Sequence, residues 1–180
     1  MQPTRDKSFS LLLALVLAGA APPALADDAC VDFKWDVSKE RALFAATPIK
    51  VPAGKDPRSA PVVVPNRLYL LGLVRQDRVA FSVHPGKEAA SAPSYGGLAR
   101  LKTPAAGSYR ISVDLPLWID VAANGALLSP TDFQGQHACS APHKIVEFEL
   151  AGGQPVVLQF SNAGKDQVLL TVTPSPPRKL

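Results

Sequence analysis

Apolar and polar residues alternate with a period of two along most of the second half of the chain. Tyr109, Ile111 and Val113 alternate with Arg110, Ser112 and Asp114, and Leu117, Ile119 and Val121 alternate with Trp118 and Asp120. Further on, Val146, Phe148 and Leu150 alternate with Glu147 and Glu149. Val156, Leu158 and Phe160 alternate with Gln159 and Ser161, and Val168, Leu170 and Val172 with Leu169, Thr171 and Thr173. This period predicts strands with one buried face. Asn124-Gly125 predicts a tight hairpin turn whose two central residues take positive φ, with Ala126 to Ser129 returning. Gly152-Gly153 predicts another turn.

The first half is less regular. Asp36 to Ala45 predicts the one helix, with Asp36 capping the first turn and Pro48 limiting its continuation. Val37, Leu43 and Phe44 would form its apolar face, with Lys39, Glu40 and Arg41 toward water, and Phe33 and Trp35 would pack the same arm. Lys50 to Pro65 reads as an extended arm in which Val62 to Val64 is a short edge strand. Arg67 to Val74 and Arg78 to Val83, separated by Arg75-Gln76-Asp77, predict a hairpin. Pro85 to Gly97 has no periodicity and reads as a loop. About eight to ten short strands, one N-terminal helix and no βαβ alternation predict an all-β chain. The expected fold is an antiparallel β-sandwich, jelly-roll-like or immunoglobulin-like, with a closed barrel as the runner-up. The expected division is an arm with a short helix over 27–60, the β-sandwich over 61–174 and a disordered tail over 175–180.

The leading segment sets the compartment. Arg5 and Lys7 precede the apolar run Leu11 to Ala21, and Ala24-Leu25-Ala26 offers small residues where a signal peptidase cleaves. A signal peptide over 1–26 follows, too short in its apolar run to remain as a membrane span. No second apolar stretch is long enough to span a membrane. The expected location is the periplasm or the outside of the cell. There, Cys30 and Cys139 are expected to form a disulfide. Closing a loop of about 110 residues contributes roughly 4–5 kcal/mol on the chain-entropy account.

Charge narrows the partners. The formal net charge is +4, from 19 basic and 15 acidic side chains, and the basic residues are scattered. A nucleic-acid binder needs a basic stripe interleaved with aromatics, which is absent from this sequence.

Candidate chemistry gathers in the stretch Asp132 to His143, which reads as a loop between strands and carries Asp132, His137, Cys139 and His143. With His84 as a distant third imidazole, the candidate metal ligands are His84, His137, His143 and Asp132. The ordinary account is a surface loop anchored by the disulfide. Glu147 and Glu149 are the paired acids a glycosidase would need, but alternation places both on a solvated sheet face. There is no Gly-x-Ser-x-Gly elbow and no phosphate-cradling loop. Trp118 and Asp120 share the strand face opposite Leu117 and Ile119, presenting an aromatic and a carboxylate together as a binding face, with Tyr95 as a second contact. The alternative for Trp118 is burial beneath the arm or a loop.

Gly107 to Val113, Leu117 to Val121, the cysteine-bearing loop, Lys144 to Leu150 and the opening Cys30 to Val37 together resemble a group of short exported bacterial proteins of unassigned function. The likeness spans most of the chain after the leader. Some members carry the label homogentisate 1,2-dioxygenase, which implies iron held by two His and a carboxylate. That enzyme family is cytosolic, longer and built on cupin barrels, and none of its motifs transfers residue by residue. The strand pattern is also similar to the β-sandwich appended to secreted peptidases, a likeness of fold alone. The leading expectation is a non-enzymatic binding or accessory module for a protein, glycan or envelope partner, with no cofactor. The alternative is a metal-dependent oxygenase using iron or another transition metal.

Overall fold

A computed structural model describes residue 30 and residues 32–90, 93–153 and 155–176. The expected signal peptide with its expected cleavage site, and residues 177–180 of the expected tail, lie outside the described residues. The chain is mostly β, with two sheets and one short helix. The helix is α1 (Ser38–Phe44). The strands are β1 (Ile49–Pro52), β2 (Val62–Val63), β3 (Leu68–Gly72), β4 (Val74–Arg75), β5 (Tyr95–Leu101) and β6 (Gly107–Val113). They continue with β7 (Trp118–Ala123), β8 (Ala126–Leu127), β9 (Asp132–Gly135), β10 (Lys144–Leu150), β11 (Val156–Ala163) and β12 (Gln167–Pro174).

One sheet runs β1-β3-β12-β6-β10-β9, and the other runs β2-β5-β11-β7-β8 with β4 also on β5. The chain changes sheet repeatedly, so neighbours in space are distant in sequence. The pairings are antiparallel except at two edges, where β1 runs parallel to β3 and β2 parallel to β5. Both sheets contribute to one hydrophobic core. Ile111, Val113, Phe148 and Leu170 come from the first, and Val121, Leu158 and Phe160 from the second. Burying each such side chain contributes about 1.5–3 kcal/mol. The period-two expectation therefore holds for β6, β7, β10, β11 and β12. Asn124 and Gly125 take φ of 51° and 77°, the positive values a tight hairpin demands.

The first half departs from expectation in several places. Ile49–Pro52, read as part of an extended arm, is a strand. Arg78 to Val83 does not return as a hairpin. Instead a 3₁₀ turn at Gln76–Arg78 sends the chain outward, and residues 79–83 form no strand. The alternation there misled because Val79, Phe81 and Val83 are half-buried without joining a sheet. Tyr95 to Gly97, assigned to a loop, begins β5. Glycine at 96 is required by close approach, since a Cβ there would stand 2.7 Å from the Phe160 carbonyl oxygen. Asp132–Gly135, also read as loop, pairs with β10.

The outward faces are the larger surprise. Lys39, Glu40 and Arg41 were expected in water, yet Glu40 is the buried residue of α1. Glu147, expected on a solvated face, is 3 % exposed. The N-terminal arm explains both. Cys30, Phe33 and Val37 pack with Cys139 and Ile145 in a second apolar cluster. Ile145 shares the outward side of β10 with Glu147, by the alternation of a strand. The Cys30–Cys139 disulfide is present, with Cα atoms 4.9 Å apart. Glu40 and Glu147 are thus covered rather than solvated, whereas Glu149 is exposed as expected.

Candidate binding cleft

The other sheet is covered in the same manner, by the segment 79–90. Gln159 on β11 is 1 % exposed, and its side-chain carbonyl accepts the Ser82 and Val83 amides at 2.8 and 3.1 Å. Its amide nitrogen donates to the Val83 carbonyl at 3.0 Å. Asn162 sits where the β11 register shifts, with φ of 58°. The irregularity aims its side chain at the same flap, where it accepts from the Ala90 amide and donates to the Glu88 carbonyl, each at 2.9 Å. Asp120 on β7, opposite Gln159 in the ladder, accepts the Gly86 amide at 3.0 Å. Three polar side chains from two adjacent strands therefore hold one irregular segment in place. Gly86 approaches so closely that a Cβ would stand 2.9 Å from Asp120 Oδ1.

Trp118 lies beside this anchorage. Its indole N–H donates to Asp120 Oδ1 at 2.9 Å, so the expected aromatic–carboxylate pair does share a face. Asp120 is nonetheless buried, with both oxygens committed to Trp118 and Gly86. The ring is half-buried and lines a cleft of about 430 Å³. Apolar walls come from Leu117, Ile119, Phe133 and Val146, with Pro116 and Pro130 beside them. Phe133 on the edge strand β9 is 64 % exposed, the largest apolar side chain left so open among the described residues.

Two lysines meet at the indole. Lys144 Nζ lies 5.1 Å and Lys87 Nζ 5.5 Å from the Trp118 ring centroid, within cation–π range. Lys144 also donates to the Leu117 carbonyl at 2.9 Å. Burial first, and the neighbouring Lys87 charge next, push the Lys144 pKa down, against the opposing pull of Asp120. His137 and His143 line the same cleft, their ring centroids 5.5 Å apart in an edge-on arrangement. Burial, then the His137 charge, lowers the His143 pKa.

The remaining candidate residues are dispersed. His84 lines a different cleft under the flap, where its Nδ1 lies 3.0 Å from the Pro85 carbonyl. Asp132 pairs with Lys34 of the arm. Among the described residues, no three His, Cys, Asp or Glu side chains are grouped as metal ligands. The four proposed ligands therefore do not fit a two-His, one-carboxylate iron site; only His137 and His143 stand together. Tyr95 is half-buried and packs against the main core rather than joining Trp118. Lys87, Lys144 and Phe133 were not singled out by sequence. A lysine opening a strand or sitting in a loop reads as solvated, and nothing local marks it otherwise.

Neither a protein-family model nor a curated protein matches this sequence. Among the described residues no helix is long and apolar enough to cross a membrane, and the disulfide fits a non-cytoplasmic compartment.

Proposed function

We propose that the chain is an exported β-sandwich, periplasmic or secreted, that binds an envelope component without catalysis. The observation that carries this reading is the Trp118 cleft. It has mostly apolar walls, a few convergent polar groups and a volume within the usual range for small-ligand sites. Its floor is held by strands and its rim by a flap tied down through Asp120, Gln159 and Asn162. That construction favours a preformed site, which loses little free energy to ordering when a ligand arrives. The metal-oxygenase alternative has less support, because His84 and Asp132 are engaged elsewhere.

Native mass spectrometry of protein purified from the cell envelope tests the reading. The expected result is a bound small molecule that Trp118→Ala loses while the fold is retained. Wild-type protein that carries no added mass, and acquires none from envelope extract, overturns it. Elemental analysis of the same preparation tests the alternative. Stoichiometric iron that His137→Ala releases would favour the oxygenase.

A further inference from the structure

We propose that the ligand of the Trp118 cleft is an anionic amphiphile, with an acidic head between Lys87 and Lys144 and an apolar body along Leu117, Ile119, Phe133 and Val146. This rests on the binding-module reading and specifies what the cleft takes.

Charge supplies the first argument. Two ammonium groups stand within 5.5 Å of one ring centroid, and neither has an acidic group within ion-pair distance among the described residues. Asp120, the carboxylate that faces them, holds the indole with one oxygen and the Gly86 amide with the other, and it sets one negative charge against two positive ones. Of the three donors on Lys144, one goes to the Leu117 carbonyl, which leaves two for a ligand. Two ammoniums on one ring repel one another, and an anion between them relieves that repulsion while forming charge-assisted hydrogen bonds.

Shape supplies the second. Ile119 belongs to the core-facing side of β7 and Val146 to that of β10, and Leu117, just before β7, joins the same core. The cleft therefore opens between β7 of one sheet and the edge strand β9 of the other, against core residues, with Phe133 exposed beside it. An apolar body entering there is removed from water, whereas a purely polar anion would leave this surface unfilled. The lysines occupying the indole face also disfavour a sugar ring stacked on Trp118.

Calorimetry with the disulfide-bonded protein, using decanoate, decyl phosphate, decanol and decyltrimethylammonium, tests the proposal. The indole N–H resonance of Trp118 reports the location. Expected are binding of both acids with a shift of that resonance, decanol weaker by about tenfold, and no binding of the cation. Lys87→Met and Lys144→Met should each weaken decanoate about tenfold and leave decanol unchanged. Lys87 is exposed, so its variant keeps the test valid should the other fail to fold. Decanol binding as tightly as decanoate overturns the anionic head while the cleft reading stands. Absence of binding by all four probes overturns the amphiphile itself, and the envelope-purified protein then decides separately whether the cleft binds anything.

Discussion

Arg110 and Glu147 face each other across the β6–β10 ladder, Nε to Oε2 at 3.4 Å, on the outward side of their sheet and yet 6 % and 3 % exposed. Arg110 also approaches Glu40 of α1 at 3.9 Å, donates to the Asp36 carbonyl at 3.1 Å and stacks 4.9 Å from the Trp35 ring. One guanidinium thus ties the helical end of the arm, at Trp35, Asp36 and Glu40, to the sheet. The carboxylates have further partners: Thr173 donates to Glu40, Ser175 to Glu147 at 2.7 Å, and Thr131 to Glu147 at 3.4 Å.

Removing the cation takes the Arg110 charge away from two buried carboxylates. Arg110→Met is expected to cost about 3–5 kcal/mol of unfolding free energy, read by urea denaturation with an unchanged slope. Replacing all three charges at once, with Glu40→Gln and Glu147→Gln added, should recover much of that loss. A single-variant loss below about 1 kcal/mol would show that water reaches the pair.

The disulfide holds the same arm from its other end, across a sequence separation of 109 residues. The double variant Cys30→Ser/Cys139→Ser is expected to lose about 2–5 kcal/mol. Hydrogen exchange should locate the loosening in α1 and in the outward residues of β6 and β10. Protection of α1 unchanged from that of the oxidised protein would show that Arg110 alone fixes the arm.

Gln159→Leu frees the flap without touching the core face of β11. The three hydrogen bonds its side chain makes to Ser82 and Val83 are lost, and the flap amides lose their partners. Limited proteolysis should then cut within 82–90, while Asn162 and Asp120 still hold the distal end. Global stability should fall by about 1–3 kcal/mol. Resistance equal to wild type would mean that Phe81, rather than the hydrogen bonds, fixes the segment.

These covers explain what was legible in the sequence and what was not. Strands β6, β7, β10, β11 and β12 were readable because each has a core face and alternation reports that face directly. The same alternation makes Arg110, Glu147 and Gln159 look solvated, since it says only that they point away from the core. What lies over them comes from Cys30, 32–45 and 79–90, segments far away in sequence. The arm's Phe33 and Trp35 were a usable signal: aromatic residues outside the strands need a surface to cover. The pairing of Trp118 with Asp120 was readable from spacing. The convergence of Lys87, Lys144 and the His137–His143 pair on that ring was not, because it joins a flap, a strand start and a disulfide-bearing loop.

That convergence sets the pH response. His143 has its pKa lowered by burial and by His137, so the unfolded chain takes up its proton more readily than the folded one. Its contribution to stability is complete above the unfolded value of about 6.5 and is lost as pH falls through the lower folded value. Asp114 acts oppositely. Burial raises its pKa against the Leu169 amide bond, so protonation near its range favours the folded state. The melting temperature should therefore decline on acidification below about pH 6.5, with the slope easing as Asp114 takes up its proton. His143→Gln should flatten the first limb and Asp114→Asn should remove the easing. A melting temperature that is flat from neutral pH down through the imidazole range in the wild-type protein would show that His143 titrates alike in both states. An acidic ligand seated between the lysines favours the protonated imidazole and should shrink the first limb, which links this titration to occupancy of the cleft.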